Sequence, residues 1–283
     1  MRSRLFRVYE ASAALTAVLL LAVGLTLATP AATFAGSGGA PKVVRIGATP
    51  VPHAEVLQFV KPILAREGIE LRIIEFTDYV RPNLALADGE LDANYFQHIP
   101  YLETFARDHG LDLTYIARVH IEPMGLYSRR VKKPSELRQG AVVAIPNDPT
   151  NGGRALQLLA QAGLIELKPN LGLSATVLDI TANPKKLAIR ELEAAQLPRA
   201  LPDVDAAVIN GNYALEAGLA PVRDAIFIED VKAPHVSPLA NVLAVRTKDK
   251  DDPVLREVAR VLTSDDVRTF LQERYKGAVV PAF

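Results

Sequence analysis

The chain has 283 residues, of which 49% are hydrophobic and 23% are charged. This balance is typical of a globular protein and excludes a chain that is mainly disordered. The 32 basic and 32 acidic residues cancel, so no overall field draws the protein to nucleic acid or to an anionic membrane. Cysteine is absent, which excludes disulfides, thiolate metal sites, a cysteine nucleophile and a lipid-modified cysteine.

The N-terminus has the composition of an export signal. Three arginines lie among the first seven residues, residues 11–28 are almost entirely small or apolar, and Ala35 is a plausible cleavage point. We therefore predict a signal peptide over residues 1–35 and a linker over residues 36–41. Because the apolar run approaches the ~20 residues that span a bilayer, an uncleaved membrane anchor is the alternative.

The chain then alternates between strands and helices. "VVRIGATP" predicts a buried strand, "HAEVLQFVKPILAREG" an amphipathic helix and "IELRIIEF" a second strand, while "VRPNLALADGELDANYF" leads from a helix into a third strand. This β-α-β-α-β order indicates a mostly parallel sheet with helices on both faces.

The alternation restarts in the second part of the chain. "LTYIARVHIEPMGLYS" predicts two extended segments, "KKPSELRQG" a short helix, "AVVAIPND" a buried strand and "TNGGRALQLLAQAGLI" a helix. Further strands and helices follow, and "ANVLAVRT" predicts a last strand before one or two amphipathic C-terminal helices.

Two β/α blocks in one chain predict an α/β protein with two lobes and a cleft between them. We assign residues 42–125 and 241–283 to lobe 1, and residues 126–240 to lobe 2. Ligands of open parallel sheets bind beyond the carboxyl ends of the strands, so the residues that follow each strand are candidates for a site. No phosphate loop is present, since "NGGR" does not match GxGxxG.

Ring-bearing side chains concentrate after the third strand. The chain has no Trp and only 6% aromatic residues, yet Tyr95, Phe96, His98 and Tyr101 lie within seven positions, and Tyr79 follows the preceding strand. These rings either belong to the core or form an aromatic wall. Such a wall suits a thioether, because sulfur gains roughly 0.3–1.5 kcal/mol against a ring, and Tyr and His can also form hydrogen bonds.

Three polar residues are candidates for holding a charged ligand. Arg154 lies in the first turn of a predicted helix, where a cation opposes the helix dipole and could bind a carboxylate, face solvent or pair with Asp148. Asn210 and Asn241 each stand at an end of an apolar strand, where two amides could hold the carboxylate and ammonium of a zwitterion. For Asn210 the alternative is a turn, which "NGN" also indicates.

Two His-x-Glu pairs suggest a competing metal site. Residues 53–55 and 120–122 each place a histidine and a glutamate two positions apart, on one face if the segment is a strand. The first pair is predicted to open a helix, and we identify no third strong ligand beside either pair. With no nucleophile elbow present, we expect no metal, no cofactor and no catalytic activity.

Five stretches of the sequence, taken in order, resemble the methionine-binding NlpA-type lipoprotein family. The likeness extends over about residues 42–283, and the second and third stretches are the most specific. They are "HAEVLQFVKPIL", "EFTDYVRPNLALADGELDANYFQHIPYL", "VAIPNDPTNGGRAL", "VINGNYA" and "ANVLAVR".

The resemblance implies a bilobal periplasmic-binding-protein fold, similar to type II, and a non-catalytic role. Such a protein captures methionine in the periplasm and, as a monomer, delivers it to an ABC permease driven by an ATPase subunit. Another small amino acid or a methionine dipeptide is the alternative ligand, and L- and D-methionine are not separated. By resemblance, Tyr79, Phe96, His98 and Tyr101 would receive the ligand side chain, and Arg154, Asn210 and Asn241 would hold its backbone.

The sequence departs from the family pattern in two places. Family members carry a lipid anchor on a cysteine at the mature N-terminus, where this chain has "ATFAGSGG". We therefore expect a free periplasmic protein, with an uncleaved anchor as the alternative. His235 and Pro238 lie shortly before Asn241 and could alter the choice of ligand. The ligand-sensing half of a regulator is a weaker alternative, because a signal peptide, and no DNA-binding module, precedes the binding region.

Overall fold

The computed structural model describes residues 41–233 and 236–283, which belong to one compact unit. The predicted signal peptide, all but the last residue of the predicted linker, and His235 lie outside the described residues.

Strands and helices alternate along most of the described chain. The strands are β1 (Lys42–Ala48), β2 (Ile69–Glu75), β3 (Ala93–His98), β4 (Leu113–Ile121), β5 (Gly125–Tyr127), β6 (Val142–Pro146), β7 (Glu166–Leu167), β8 (Ile180–Ala182), β9 (Ala188–Leu192), β10 (Ala206–Ile209), β11 (Phe227–Ile228), β12 (Asn241–Arg246) and β13 (Val280–Pro281). The α-helices are α1 (Glu55–Arg66), α2 (Arg81–Ala87), α3 (Ile99–His109), α4 (Pro149–Gln161), α5 (Leu197–Ala200), α6 (Gly211–Glu216), α7 (Pro221–Asp224), α8 (Pro253–Leu262) and α9 (Asp265–Tyr275).

The first lobe is built on a six-stranded sheet with the order β13-β4-β12-β3-β1-β2. β1 pairs in parallel with β2 and β3, whereas β12, β4 and β13 are joined by antiparallel pairs. The sheet is therefore mixed, and only three neighbouring strands match the parallel arrangement expected from the sequence. The reason is that Asn241 at the start of β12 lies opposite His120 near the end of β4, so β12 enters the sheet where β4 leaves it.

The second lobe is built on a five-stranded sheet with the order β11-β5-β10-β6-β9. β9, β6 and β10 are parallel, and β5 and β11 are antiparallel to their neighbours. β7 and β8 form a separate two-stranded sheet. The protein thus has a bilobal α/β fold, while the predicted lobe boundaries at 125/126 and 240/241 stay predictions.

Periodic apolar residues place the helices against the sheets. The buried face of α1 consists of Val56, Leu57, Val60 and Leu64, which share one hydrophobic cluster with Ile46 of β1. Their spacing is that of a single helix face. Along β3 the side chains alternate between the two faces of the sheet. The neighbouring rings of Tyr95 and Phe96 therefore lie on opposite faces.

One predicted helix is not formed. In "KKPSELRQG", only a three-residue 3-10 turn is present, at Pro134–Glu136. The segment ends at Gly140, whose backbone has a positive φ of 70°. The turn does not continue as an α-helix, because Leu137, the next residue, has a non-helical ψ of 129°.

Candidate functional site

A cavity between the two lobes brings together the seven residues to which the family resemblance assigns the ligand. About 330 Å³ of it is not occupied by protein atoms, and part of this space is open to solvent. The lining residues come from the end of β3, from the start of β12, from the segments that follow β2, β4 and β10, and from α3, α4 and α6. The predicted residues that line it are Tyr79, Phe96, His98, Tyr101, Arg154, Asn210 and Asn241.

Three aromatic rings form one wall of the cavity. The ring centroids of Tyr79 and Phe96 are 5.9 Å apart, those of Tyr79 and Tyr101 are 5.7 Å apart, and those of Phe96 and Tyr101 are 6.1 Å apart. The Tyr101 hydroxyl donates a hydrogen bond of 2.9 Å to the backbone oxygen of Tyr79. The wall is therefore held by contacts among its own members.

Tyr95 does not belong to this wall. Its side chain lies in the main hydrophobic cluster of the first lobe, and its hydroxyl hydrogen-bonds Nδ1 of His120. Neighbouring side chains of a strand point to opposite faces, so Tyr95 is directed away from the cavity that Phe96 lines. Of the rings concentrated in the sequence, this one is a core residue.

His98 both lines the cavity and caps a helix. Its Nδ1 accepts a 3.1 Å hydrogen bond from the backbone N–H of Tyr101 at the start of α3, and its Nε2 lies 3.1 Å from Oδ1 of Asn151. Burial, together with the charge of Arg154, lowers the pKa of His98 to about 4. The ring is thus neutral at pH 7, and because Nδ1 accepts, Nε2 carries the hydrogen and donates to Asn151.

Arg154 lies deeper in its helix than the sequence analysis predicted. α4 begins at Pro149, because the side chain of Asp148 accepts a 2.9 Å hydrogen bond from the backbone N–H of Asn151 and caps the helix. Arg154 is therefore in the second turn, and its placement in the first turn is wrong. The capping role also explains why Asp148 is not its ion-pair partner.

The anionic partner of Arg154 is Glu229. Nε lies 3.0 Å from Oε1 and Nη2 lies 2.5 Å from Oε2 of the Glu229 carboxylate, and Nη2 also donates to the backbone oxygen of Glu122 at 2.8 Å. Burial lowers the pKa of Arg154, but the attraction of Glu229 outweighs burial and raises it above the usual value. The remaining nitrogen, Nη1, makes no hydrogen bond in the described part of the chain, and Arg154 is among the residues that line the cavity.

The asparagines present unpaired polar atoms. Asn210 donates from Nδ2 to Oδ1 of Asn151 at 2.8 Å, and its own Oδ1 is buried without a partner among the described residues. Asn212 accepts from the Tyr79 hydroxyl at 2.5 Å, and its Nδ2 is likewise buried and unpaired. The cavity therefore offers a hydrogen-bond acceptor at Asn210 and a donor at Asn212.

Sequence reasoning missed several residues of the cavity. Asn212 stands two positions after Asn210, and Asn151 lies in the same "NDPTNGGR" stretch as Arg154, so the quoted motifs contained the signal for both. The missed residues that line the cavity are Gln97, Glu122, Asn151, Gly211 and Asn212.

The two His-x-Glu pairs do not behave as two separate pairs. Glu55 does not pair with His53 but accepts hydrogen bonds from Arg274 on the surface of the first lobe. His53 instead lies beside His120 and Glu122, and the ligand-type atoms of these three buried residues are all within 4.8 Å of one another. The expectation that no third strong ligand stands beside either pair is therefore wrong.

Comparison with known proteins gives concordant results. The family model described as NlpA lipoprotein matches residues 44–283. The chain is 44% identical to the membrane lipoprotein TpN32 of Treponema pallidum over 242 residues, which are 85% of this chain and 89% of that protein. It is 40% identical to the D-methionine-binding lipoprotein MetQ of Escherichia coli K12 over 243 residues, with 85% and 88% covered.

A solved structure has the same fold. The nutrient binding protein of Burkholderia cenocepacia, determined bound to methionine, superposes with a TM-score of 0.81 at 47% identity. The superposition covers 85% of this chain and 100% of that chain.

Proposed function

This chain belongs to the NlpA lipoprotein family, and we propose that it is a binding protein that captures methionine outside the cytoplasm and delivers it to an ABC importer. The observation that carries the proposal is the chemistry of the cavity. An aromatic wall and a set of unpaired polar atoms line the same space between the two lobes.

The polar atoms match the backbone of an amino acid. The unpaired Oδ1 of Asn210 can accept a hydrogen bond from an ammonium group, and Nη1 of Arg154 can donate to a carboxylate. Asn241 supplies the second amide. A zwitterion can be buried between the lobes only if both charges are paired and hydrogen-bonded, and these atoms provide partners for both signs.

The aromatic wall matches the side chain of methionine. Tyr79, Phe96 and Tyr101 present ring surfaces, and His98, which is neutral, adds a fourth ring whose nitrogens are already engaged in hydrogen bonds. Thioether sulfur gains roughly 0.3–1.5 kcal/mol from contact with aromatic rings. We therefore assign these four residues to the ligand side chain.

Two sets of contacts support the proposal of binding without catalysis. The His98 ring is occupied at both nitrogens, and the Glu229 carboxylate pairs with Arg154, so neither is placed as a general base or nucleophile. The relatives with which the chain was compared include one named for D-methionine binding. The protein accordingly acts by capture and delivery.

The proposed location is the periplasm, reached through the N-terminal signal. The compared relatives from Treponema pallidum and Escherichia coli are named lipoproteins, whereas this chain has no cysteine to carry a lipid. Among the described residues, no helix is long and apolar enough to span a bilayer. We propose a monomeric protein that meets a membrane permease and its ATPase subunit, with an uncleaved N-terminal anchor as the alternative.

Calorimetric titration tests the proposal. Protein that has been unfolded, freed of ligand and refolded is titrated with L-methionine, D-methionine and a methionine dipeptide, after its native fold has been verified by circular dichroism. We expect tight one-to-one binding of a methionine form. An absence of heat with all three ligands would overturn methionine as the ligand, and tighter binding of a different small amino acid would reassign it.

A metal analysis of the same protein separates the binding proposal from the metal-site alternative. Stoichiometric metal retained through purification would contradict a purely organic ligand site. We expect none.

A further inference from the structure

Behind the wall that carries Asn241 lies a buried set of side chains that we call the histidine network, formed by Thr49, His53, Tyr95, His120 and Glu122. Four of these residues are at most 1% exposed, and Glu122 is 6% exposed. Of the five, only Glu122 lines the cavity. The ligand proposal leaves the other four without a role.

His53 connects this network to the cavity. Its Nδ1 lies 2.7 Å from the Thr49 hydroxyl, and its Nε2 lies 3.1 Å from Oδ1 of Asn241 and 3.3 Å from Oε1 of Glu122. On the other side of the glutamate, His120 places its Nε2 2.8 Å from the same Oε1, and its Nδ1 hydrogen-bonds the Tyr95 hydroxyl.

These contacts determine where the hydrogen of His53 resides. Amide and carboxylate oxygens accept hydrogen bonds, so a ring nitrogen that faces both Asn241 and Glu122 must carry a hydrogen. A lone pair on Nε2 would instead face the carboxylate of Glu122 and be repelled. The neutral ring then accepts at Nδ1, and the Thr49 hydroxyl is the donor. Neutrality agrees with burial, which lowers the pKa of His53 to about 4.

We propose that His53 is a positioning residue that fixes the orientation of the Asn241 amide and thereby makes Asn241 a donor toward the ligand. An amide that accepts at Oδ1 from His53 leaves its Nδ2 for the cavity. With the amide reversed, Oδ1 would face the cavity and repel a ligand carboxylate. The inference rests on the proposed function, since it concerns how the same site selects a carboxylate.

Variants of His53 test this role. His53→Leu removes the donor, and we expect methionine to bind about tenfold more weakly, the effect of losing one well-placed hydrogen bond. Methioninamide, whose amide can accept or donate, should lose no more than about threefold. His53→Gln retains an N–H donor in the place of Nε2, and affinity for methionine should return to within about threefold of the parent.

Thr49→Val is the matched control. It also damages the histidine network and should lower the melting temperature, but it leaves the donor to Asn241 in place and lies outside the cavity wall. Methionine affinity should therefore stay within about threefold of the parent. An equal loss of affinity in Thr49→Val and His53→Leu would reduce His53 to a general packing role and overturn the proposal.

Imidazole nitrogen chemical shifts give a test that does not depend on the ligand. In ligand-free protein, His53 should show a protonated Nε2 and an unprotonated Nδ1, with the resonance assigned by its disappearance in His53→Gln. Protonation at Nδ1, or Zn²⁺ bound at Nε2 of both His53 and His120, would overturn the proposal even if methionine binds tightly. If no methionine form binds while Nε2 is protonated, the proposed function fails and the hydrogen-bond assignment is retained.

Discussion

The aromatic wall of the cavity and its polar wall, formed by Arg154, Asn210, Asn212 and Asn241, use their polar atoms in different ways. In the aromatic wall the hydroxyl of Tyr101 donates a hydrogen bond to the backbone oxygen of Tyr79, and the hydroxyl of Tyr79 donates to Oδ1 of Asn212. In the polar wall, the side chains of Asn210 and Asn212 each keep one buried atom unpaired among the described residues. The first wall sets the shape of the cavity, and the second sets which polar groups a ligand must bring.

This contrast predicts unequal consequences of mutation. A substitution in the polar wall removes a charge-assisted hydrogen bond and leaves another buried group without its partner, which costs more than an ordinary contact. A substitution in the aromatic wall removes dispersion and ring contacts, which are individually small.

Arg154→Met removes the positive charge of the polar wall. Methionine affinity should fall about tenfold to a hundredfold with loss of the guanidinium donor. Because the buried Glu229 carboxylate loses its ion pair with Arg154, the free energy of unfolding should also fall by roughly 3–5 kcal/mol. Chemical denaturation and calorimetric titration measure the two effects.

The double variant Arg154→Met/Glu229→Gln separates these two effects. Replacing the negative charge of Glu229 as well should restore much of the stability without restoring affinity. If the double variant binds methionine as tightly as the parent, Arg154 does not hold the ligand carboxylate.

Gly153→Ala tests the backbone packing that supports the polar wall. A Cβ at Gly153 would lie 1.9 Å from the backbone oxygen of Leu173, so α4 and the turn beside it would have to separate. Overpacking of this kind typically costs about 1–3 kcal/mol. Because Arg154 is the next residue in the helix, its side chain should be displaced as well. Denaturant unfolding would show the loss.

Gly152→Ala is the control for this change. It lies in the same helix and gains the same intrinsic helix propensity, but its Cβ would approach its nearest neighbour, the backbone oxygen of Pro146, only to 3.0 Å. Equal stability of the two variants would show that the close approach to Leu173 is not a constraint.

These glycines illustrate what the sequence could and could not predict. Spacing and residue type predicted the strand after "RQG" and the helix in "TNGGRALQLLAQAGLI", because strand ends and helix starts have local signals. Together with the family resemblance, they also named seven of the twelve residues that line the cavity. The need for glycine at position 153 comes from a turn twenty residues further along the chain. A long-range contact of that kind leaves no local pattern.

The errors have the same physical origin. The sequence suggested Asp148 as one possible partner for Arg154, but that carboxylate caps the helix, and Glu229 is 75 positions away in the chain. The sequence places His53 and His120 in separate His-x-Glu pairs. Strand order, not sequence spacing, brings the two histidines together. Register decided the outcome for Tyr95, since one position along β3 changes the face of the sheet.

The pH dependence of stability should depend on His98. Burial and the nearby Arg154 lower its pKa to about 4, so on acidification the unfolded chain takes up a proton before the folded chain does. The contribution of neutral His98 is fully present above about pH 6.5, and by pH 5 about 2 kcal/mol of it should be lost. Glu122, whose pKa is raised by burial, acts in the opposite direction.

His98→Asn is the matched variant for this measurement. Asparagine can still accept from the backbone N–H of Tyr101 and cap α3, but it does not titrate. The parent should therefore lose about 2 kcal/mol more than the variant between pH 7 and pH 5. Parallel pH curves for the two proteins would show that His98 is not the group responsible.

Phe96→Leu removes one ring from the aromatic wall and should have the smallest effect on methionine affinity. Leucine keeps an apolar surface but removes a ring, so only the sulfur–aromatic contribution of roughly 0.3–1.5 kcal/mol should be lost. Methionine affinity should fall by no more than about tenfold. Norleucine, which replaces the sulfur by a methylene group, should be affected less than methionine. Calorimetric titration of both ligands into both proteins gives the comparison directly: a ratio of methionine to norleucine affinity that does not change in Phe96→Leu would show that the ring acts through shape alone.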